Sequence, residues 1–239
     1  MGDLYPAEKL KFHLSGEVIT ALIIVAVIFL FSIYVFIRAK TANPLKRPKG
    51  ILLLMEIAVS KIDDFVKDTM GKGFENYGGL FLGQLIFLAL GFLVGLLGLP
   101  TPMTNLSVPL CLGLSTFLLI HITSIRFTKI RYFKRYVEPI FVFLPINLLS
   151  MWAPLISLTF RLFGNALAGF VLLTLANSAL STLGDMIARG AEWGQLVTIG
   201  VGTPVLHAYF DVVSALIQSI VFLYLTALLV AQEKPEDIE

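Results

Sequence analysis

The sequence predicts an all-α integral membrane protein with about five membrane-crossing helices plus one amphipathic interfacial helix, the last two crossings long and strongly tilted. Three observations carry this. Of its 239 residues 57% are hydrophobic and 14% charged, against ~45–50% and ~25% in soluble domains, and the mean hydropathy is +0.87. Several apolar runs reach or exceed the ~20 residues that cross a ~30 Å hydrocarbon core. Lys and Arg gather in two short stretches between such runs, the mark of cytoplasmic loops. The chain, 1–239, reads as a single membrane domain with no room for a soluble one. With a net charge of only +2, bulk charge identifies no partner, and no nucleic acid is expected.

Residues 18–37 form the first span. The preceding segment carries Asp3, Glu8, Lys9 and Lys11, and the apolar run is too long for a signal-peptide core and lacks a small-residue cleavage site. It is read as a retained helix. Arg38, Lys40, Lys46, Arg47 and Lys49 follow, broken by Pro44 and Pro48, which puts this loop inside and the N-terminus outside. Over 50–70, Ile51, Leu54, Ala58, Ile62, Phe65 and Val66 recur at helical spacing among charged residues. This helix either lies on the cytoplasmic membrane surface or packs on another subunit.

Spans two and three are predicted over 78–99 and 108–125, joined outside by the uncharged turn Pro100–Asn105. Arg126, Lys129, Arg131, Lys134 and Arg135 then return the chain to the inside, in agreement with the first basic loop. From 138 to 184 the chain is almost continuously apolar, twice the length of a perpendicular helix, and contains Pro139, Pro145 and Pro154. Either one long tilted helix carries Arg161 at membrane depth, or a hairpin turns near Gly164-Asn165 and leaves Arg161 in a wet loop. A polar stretch with Asp185, Arg189 and Glu192 precedes the last long helix, 195–231. The single-helix reading has five spans and a cytoplasmic C-terminus; the hairpin has six. The acidic tail 233–239 does not arbitrate, because Asp and Glu bias orientation little.

Arg161 is the most informative residue. No acidic side chain stands between Glu138 and Asp185 to neutralise it. An arginine at the bilayer centre costs roughly 2.5–3.5 kcal/mol on insertion scales, and its pKa is too high for it to escape by losing a proton. On a helix, Ser157, Arg161 and Asn165 make one polar stripe, with Gly164, Ala168 and Gly169 thinning the surface beside it. Small residues also serve plain helix packing, which leaves the arginine unexplained. The last segment adds His207, Asp211, Ser214 and Gln218; the last three share a face over two turns, ~10 Å. Asp211 is a cation way-station or a structural ion pair with Arg161, His207 a helix-end or core histidine or a proton carrier. Gln218 taken alone reads as an interhelical hydrogen bond, and His121 as a packing residue.

The single cysteine, Cys111, excludes an intrachain disulfide, and no CxxC, HExxH, nucleophile–base pair or phosphate-binding loop is present. No cofactor or metal is implied, and no autonomous active site is visible. Polar groups on two apolar helices suit ion movement across a membrane.

Arg161-Leu162-Phe163-Gly164-Asn165 with Ala168-Gly169, and Gln218 within Leu216–Phe222 followed by Leu225-Thr226, resemble subunit a of the F-type ATP synthase, its bacterial form best. Pro145-Ile146-Asn147-Leu148 upstream and the outer turn ending Asn105–Val108 extend the likeness over nearly the whole chain. The resemblance implies a multi-pass stator subunit of the cell membrane, built against a rotating ring of c subunits and held with peripheral-stalk b subunits and the rest of the synthase. Arg161 corresponds to the family's essential arginine facing the ring carboxylate, Gln218 lies near it, and Asp211 takes the place of a His or acid that relays protons in the outward half-channel. Asn165 matches a polar residue beside the arginine. Three departures stand out: Phe170 replaces a carboxylate after the RLFGN run, Ser150 and Met151 occupy the positions of an acidic pair, and Asn105 replaces a frequent aspartate. His207, one turn from Asp211, is the candidate substitute on the outer side.

Two other classes compete. A stand-alone secondary transporter or channel calls for an internal repeat with paired broken helices, and no second copy of either long segment is found. A membrane-embedded enzyme calls for a nucleophile or metal constellation, which is missing.

Overall fold

The computed structural model describes residues 15–42, 48–129, 132, 142, 144–187 and 192–234. Residues Asp3, Glu8, Lys9, Lys11, Pro44, Lys46, Arg47, Arg131, Lys134, Arg135, Pro139, Arg189 and the tail 235–239 lie outside that set. The described residues build six α-helices and no strand: α1 (Gly16–Thr41), α2 (Ile51–Met70), α3 (Gly78–Leu93), α4 (Ser107–Thr128), α5 (Leu144–Ile187) and α6 (Glu192–Ala231). Short 3-10 turns at Glu75–Tyr77, Val94–Leu97 and Pro102–Thr104 flank α3 and lead into α4. All except α2 are long and apolar enough to cross a membrane, α3 together with its flanking 3-10 turns over Glu75–Leu97. Large apolar side chains such as Leu30, Phe36, Leu149 and Phe170 stand exposed, a surface that water would reject and acyl chains accept.

The hairpin alternative for the long apolar segment does not hold. Residues 144–187 form one uninterrupted helix of 44 residues, with Pro154 inside it and Gly164-Asn165 in mid-course. Glycine and asparagine mark turns in water, where freed backbone groups are hydrated. In hydrocarbon each unpaired N–H or C=O costs several kcal/mol, so the helix runs through. At 1.5 Å per residue α5 is about 66 Å long, twice the ~30 Å core, so it inclines or projects beyond it. The 40-residue α6 meets the same constraint.

Helices α5 and α6 pack along one another, α3 packs on α6 and α4 on α5. Leu88, Phe92, Met103, Leu158, Leu162, Ala215 and Phe222 form one buried cluster. A second joins Ile62, Val66 and Met70 of α2 to Phe81 of α3 and Leu223, Ala227 and Val230 of α6. The amphipathic helix therefore docks its C-terminal half on its own chain, while Ile51, Leu53, Leu54 and Ile57 at its start stay exposed. It ends at Gly71, whose φ of 75° is disfavoured for side-chain-bearing residues. Hydroxyls add interhelical hydrogen bonds: Thr116 with Thr226 at 3.3 Å and Tyr77 with Thr123 at 3.0 Å.

The α4–α5 seam depends on Gly113. A Cβ there would strike Thr159 Oγ1 and come within 3.2 Å of the Leu155 carbonyl oxygen. Gly113→Ala is expected to weaken this seam by about 1–3 kcal/mol. Gly83→Ala, with nothing within 4 Å of its Cβ, gains the same helix propensity without the clash and serves as control. Heating detergent-solubilised membranes and following retention of the folded subunit tests the difference; equal melting of the two variants would exclude a close seam.

Candidate functional site

Leu158 and Leu162 are 1% and 0% exposed and hold one face of α5 in the core. Arg161, next to Leu162, consequently sits half-buried at the border of that face, with Ser157 and Asn165 exposed one turn to either side. Its Nη2 lies 3.5 Å from Ser157 Oγ, at the outer limit of a hydrogen bond. Its Nη1 is buried with no partner among the described residues. A guanidinium left in this state has donors for which the described residues supply no close acceptor.

One turn further, Asn165 Nδ2 donates to Gln218 Oε1 and ties α5 to α6. Gln218 is 2% exposed, and its own Nε2 is a second buried donor without a partner among the described residues. Asp211 does not pair with Arg161. Its Oδ2 lies 3.3 Å from His207 Nδ1, one turn back on α6. Asp211 also depends on the bare backbone of Gly95, where a Cβ would come within 3.0 Å of Asp211 Oδ2 and of Thr101 Oγ1.

Two cavities flank this layer. The first, about 470 Å³, is lined by Asn165, Gly169 and Phe170 of α5, His207, Asp211 and Ser214 of α6, Thr101, and Glu17 of α1. The second, about 390 Å³, is lined by His121 of α4, Tyr132, Asn147, Ser150 and Met151 of α5, and Gln232 and Glu233 just past α6. Along α5, every lining residue of the second cavity precedes Arg161 and every one of the first follows it. Along the antiparallel α6 the order reverses about Gln218. Neither Arg161 nor Gln218 lines either space, so the two cavities lie toward opposite ends of the helix pair with Arg161 and Gln218 at the level between.

The site residues expected from the sequence therefore separate into groups. Arg161, Ser157, Asn165 and Gln218 form the middle layer; His207, Asp211 and Ser214 share the first cavity. Asn105 lines neither cavity; its Nδ2 donates to Ser15 Oγ at 2.9 Å and its Oδ1 accepts from Ser107 N at 3.1 Å, which fastens the start of α1, and with it Glu17, to the α3–α4 connection. Glu17 and Glu233 were not anticipated. Both stand at helix ends, where a charged residue looks like an ordinary solvated terminus, and only their convergence on cavities distinguishes them. Among the described residues no three His, Cys, Asp or Glu side chains gather to hold a metal.

Comparison with known proteins gives a consistent result. The family model described as ATP synthase A chain matches residues 18–231. The chain is 31% identical over 237 residues to ATP synthase subunit a of Mycoplasma genitalium and 32% identical over 243 residues to that of Mycoplasma pneumoniae, covering 94% of this chain and 81% of the relative in each case. Subunit a of Mycoplasmoides gallisepticum is 24% identical over 226 residues, 88% of this chain and 75% of the relative.

Proposed function

The chain belongs to the ATP synthase subunit a family, a multi-pass membrane subunit whose partners are other ATP synthase subunits, and from that membership we propose that it is the ion-conducting stator against which a ring of c subunits turns. The observation that carries the reading is the pair of cavities at opposite ends of α5 and α6, with an uncompensated Arg161 at the level between them.

In this reading the Asp211 cavity opens to the outside and the Ser150 cavity to the cytoplasm, following the basic loops that put the N-terminus outside and the C-terminus inside the cell membrane. The coupling cation enters beside His207 and Asp211, loads a ring carboxylate, travels round with the ring and leaves through the Ser150 cavity. Arg161 favours the ionised form of the arriving ring carboxylate, so the ion is released before the carboxylate passes. The same fixed charge bars a cation from crossing directly between the cavities. Gln218, tied to Asn165, presents a further donor at this level. Whether the ion is H⁺ or Na⁺ is set by the ring's own site.

The surface around Arg161 supports contact with a moving partner. A Cβ on Gly164 or Gly169 would meet nothing within 4 Å, so these small residues are not explained by packing inside the chain. They leave a low strip on which another helix can slide. On the far side, α1 offers its exposed apolar flank, with Leu30 65% and Phe36 68% exposed, to lipid and to the b subunits of the peripheral stalk.

Cysteine crosslinking in the assembled synthase tests the ring-facing surface. In a background where the exposed Cys111 is replaced by serine, Ala168→Cys is expected to form a disulfide with a cysteine at mid-membrane on the outer helix of subunit c. Leu22→Cys on α1 is expected to form none. Crosslinking from Leu22 and none from Ala168 or from Gly164→Cys would exclude α5 as the ring-facing helix.

A further inference from the structure

The Ser150 cavity contains a carboxylate in an unexpected place. The lining residues that α5 contributes are Asn147, Ser150, Met151 and Pro154, none of them acidic, and Ser150 spends its hydroxyl hydrogen on the Ile146 carbonyl at 3.0 Å. None of these side chains carries a negative charge with which to take up a cation. Glu233, which enters the cavity from the turn that ends α6, is the sole Asp or Glu among its described lining residues.

The position of Glu233 is built rather than incidental. Its N–H donates to the Val230 carbonyl at 3.2 Å, and the Lys234 N–H donates to the Ala231 carbonyl at 3.1 Å, closing the turn. Lys234 Nζ then donates to the Lys72 carbonyl at 3.1 Å, so the turn is pinned to the loop after α2. Ala227 and Val230 beneath it are fully buried against α2 and α3. The backbone that bears Glu233 is thus fixed at the cavity by the end of α6 and the loop after α2. His121 stands at the same cavity; its Nδ1 lies 2.8 Å from the Phe117 carbonyl, a contact that requires the proton on Nδ1 and leaves Nε2 as the basic nitrogen. From Gln218 to Glu233 is about 22 Å along the helix, so the two residues span the distance from the Arg161 level to the cytoplasmic mouth.

We propose that Glu233 is the cation-exchanging carboxylate of the inner cavity, replacing from the end of α6 the acid that α5 lacks. This rests on the stator reading above. A cation released from the ring carboxylate passes through the cavity to the Glu233 carboxylate, as a proton that makes it a carboxylic acid or as a metal cation that it ligates in passing. It then leaves to the cytoplasm and regenerates the carboxylate, with His121 Nε2 as a second acceptor for a proton.

The test uses the whole synthase in sealed vesicles. Glu233→Gln keeps the shape and removes the exchange, and is expected to slow gradient-driven ATP synthesis and ATP-driven pumping at least about tenfold, with normal amounts of this subunit in the purified complex. Restoring an acid on α5 by adding Met151→Glu or Ser150→Glu to Glu233→Gln is expected to recover most of the rate, which repair of a merely structural defect would not do. If Glu233→Gln does not assemble, Glu233→Ser with added formate as a diffusible carboxylate provides the same readout. Wild-type rates in Glu233→Gln, or a slow enzyme rescued neither by an α5 acid nor by formate, would overturn the proposal. An Arg161→Ala enzyme run in parallel separates the two ideas. If it loses coupling while Glu233→Gln is normal, the stator reading stands and the Glu233 proposal falls; if both are normal, the stator reading falls as well.

Discussion

Arg161→Ala is expected to abolish ion-coupled ATP synthesis while leaving this subunit in the membrane. The guanidinium has an unpartnered buried Nη1 and only a 3.5 Å contact to Ser157, so little of the fold depends on it. Its removal relieves the insertion cost of roughly 2.5–3.5 kcal/mol and does not strand an acidic partner in the chain. The loss falls on the moving carboxylate instead. A fixed charged donor aimed at charge that develops in a water-poor site is worth ~2.7–4 kcal/mol, or about 10²–10³ in rate. In the proposed mechanism the ring carboxylate is then not driven to ionise before it passes, and no positive charge keeps the two cavities apart. Synthesis driven by an imposed gradient in reconstituted vesicles is therefore expected to fall to background, with passive leak rising. Arg161→Lys keeps a cation but loses the planar fork and adds a group that can itself deprotonate, so it is expected to retain only a small part of the activity. Normal coupled synthesis in Arg161→Ala would end the stator reading.

Asp211→Asn carries the second largest effect. The substitution is nearly isosteric, so the close approach to the bare backbone of Gly95 survives while the ionisable group is lost. General acid–base groups in place contribute about 10²–10⁴-fold; His207 at 3.3 Å and the cavity's space for water offset part of this, so ion-driven synthesis is expected to fall by roughly tenfold to a hundredfold. Because His207 touches Asp211 and takes over part of its work when it is lost, the double variant His207→Ala with Asp211→Asn is expected to be slower than either single variant, by more than the sum of their separate effects. Unchanged synthesis at every pH in Asp211→Asn would make the residue structural only.

Much of the fold was legible because membrane insertion depends on linear properties. The lengths of the apolar runs and the scarcity of charge identify the crossings, and α2 stands apart because charged residues recur around it. The hairpin alternative was open for a clear reason: Gly164-Asn165 and Pro154 carry turn signals calibrated in water, and the bilayer reverses their weight by penalising every freed backbone group. The middle of the site was legible through spacing on one helix, since Ser157, Arg161 and Asn165 fall at i, i+4, i+8. Contacts between helices were not. That Asp211 pairs with His207 rather than with Arg161 follows from how far α6 is shifted along α5. Likewise, Asn105 fastens α1 instead of lining a cavity because Ser15 meets it across 90 residues of sequence.

By itself, then, the sequence determined that this is a multi-pass helical membrane protein of the subunit a family and that Arg161 carries a charge its own helix does not balance. Hydrophobic run length, charge count and a short motif are all read along one dimension, and each has a direct energetic meaning in lipid. The tertiary structure alone decided that α5 continues past Gly164, that two cavities lie on either side of the Arg161 level, and that Glu17 and Glu233 line them from helix ends. Those facts depend on which residues of distant helices come within a few ångströms of one another. No periodicity within a helix encodes that, because it is set by the packing of α6 against α3 and α5.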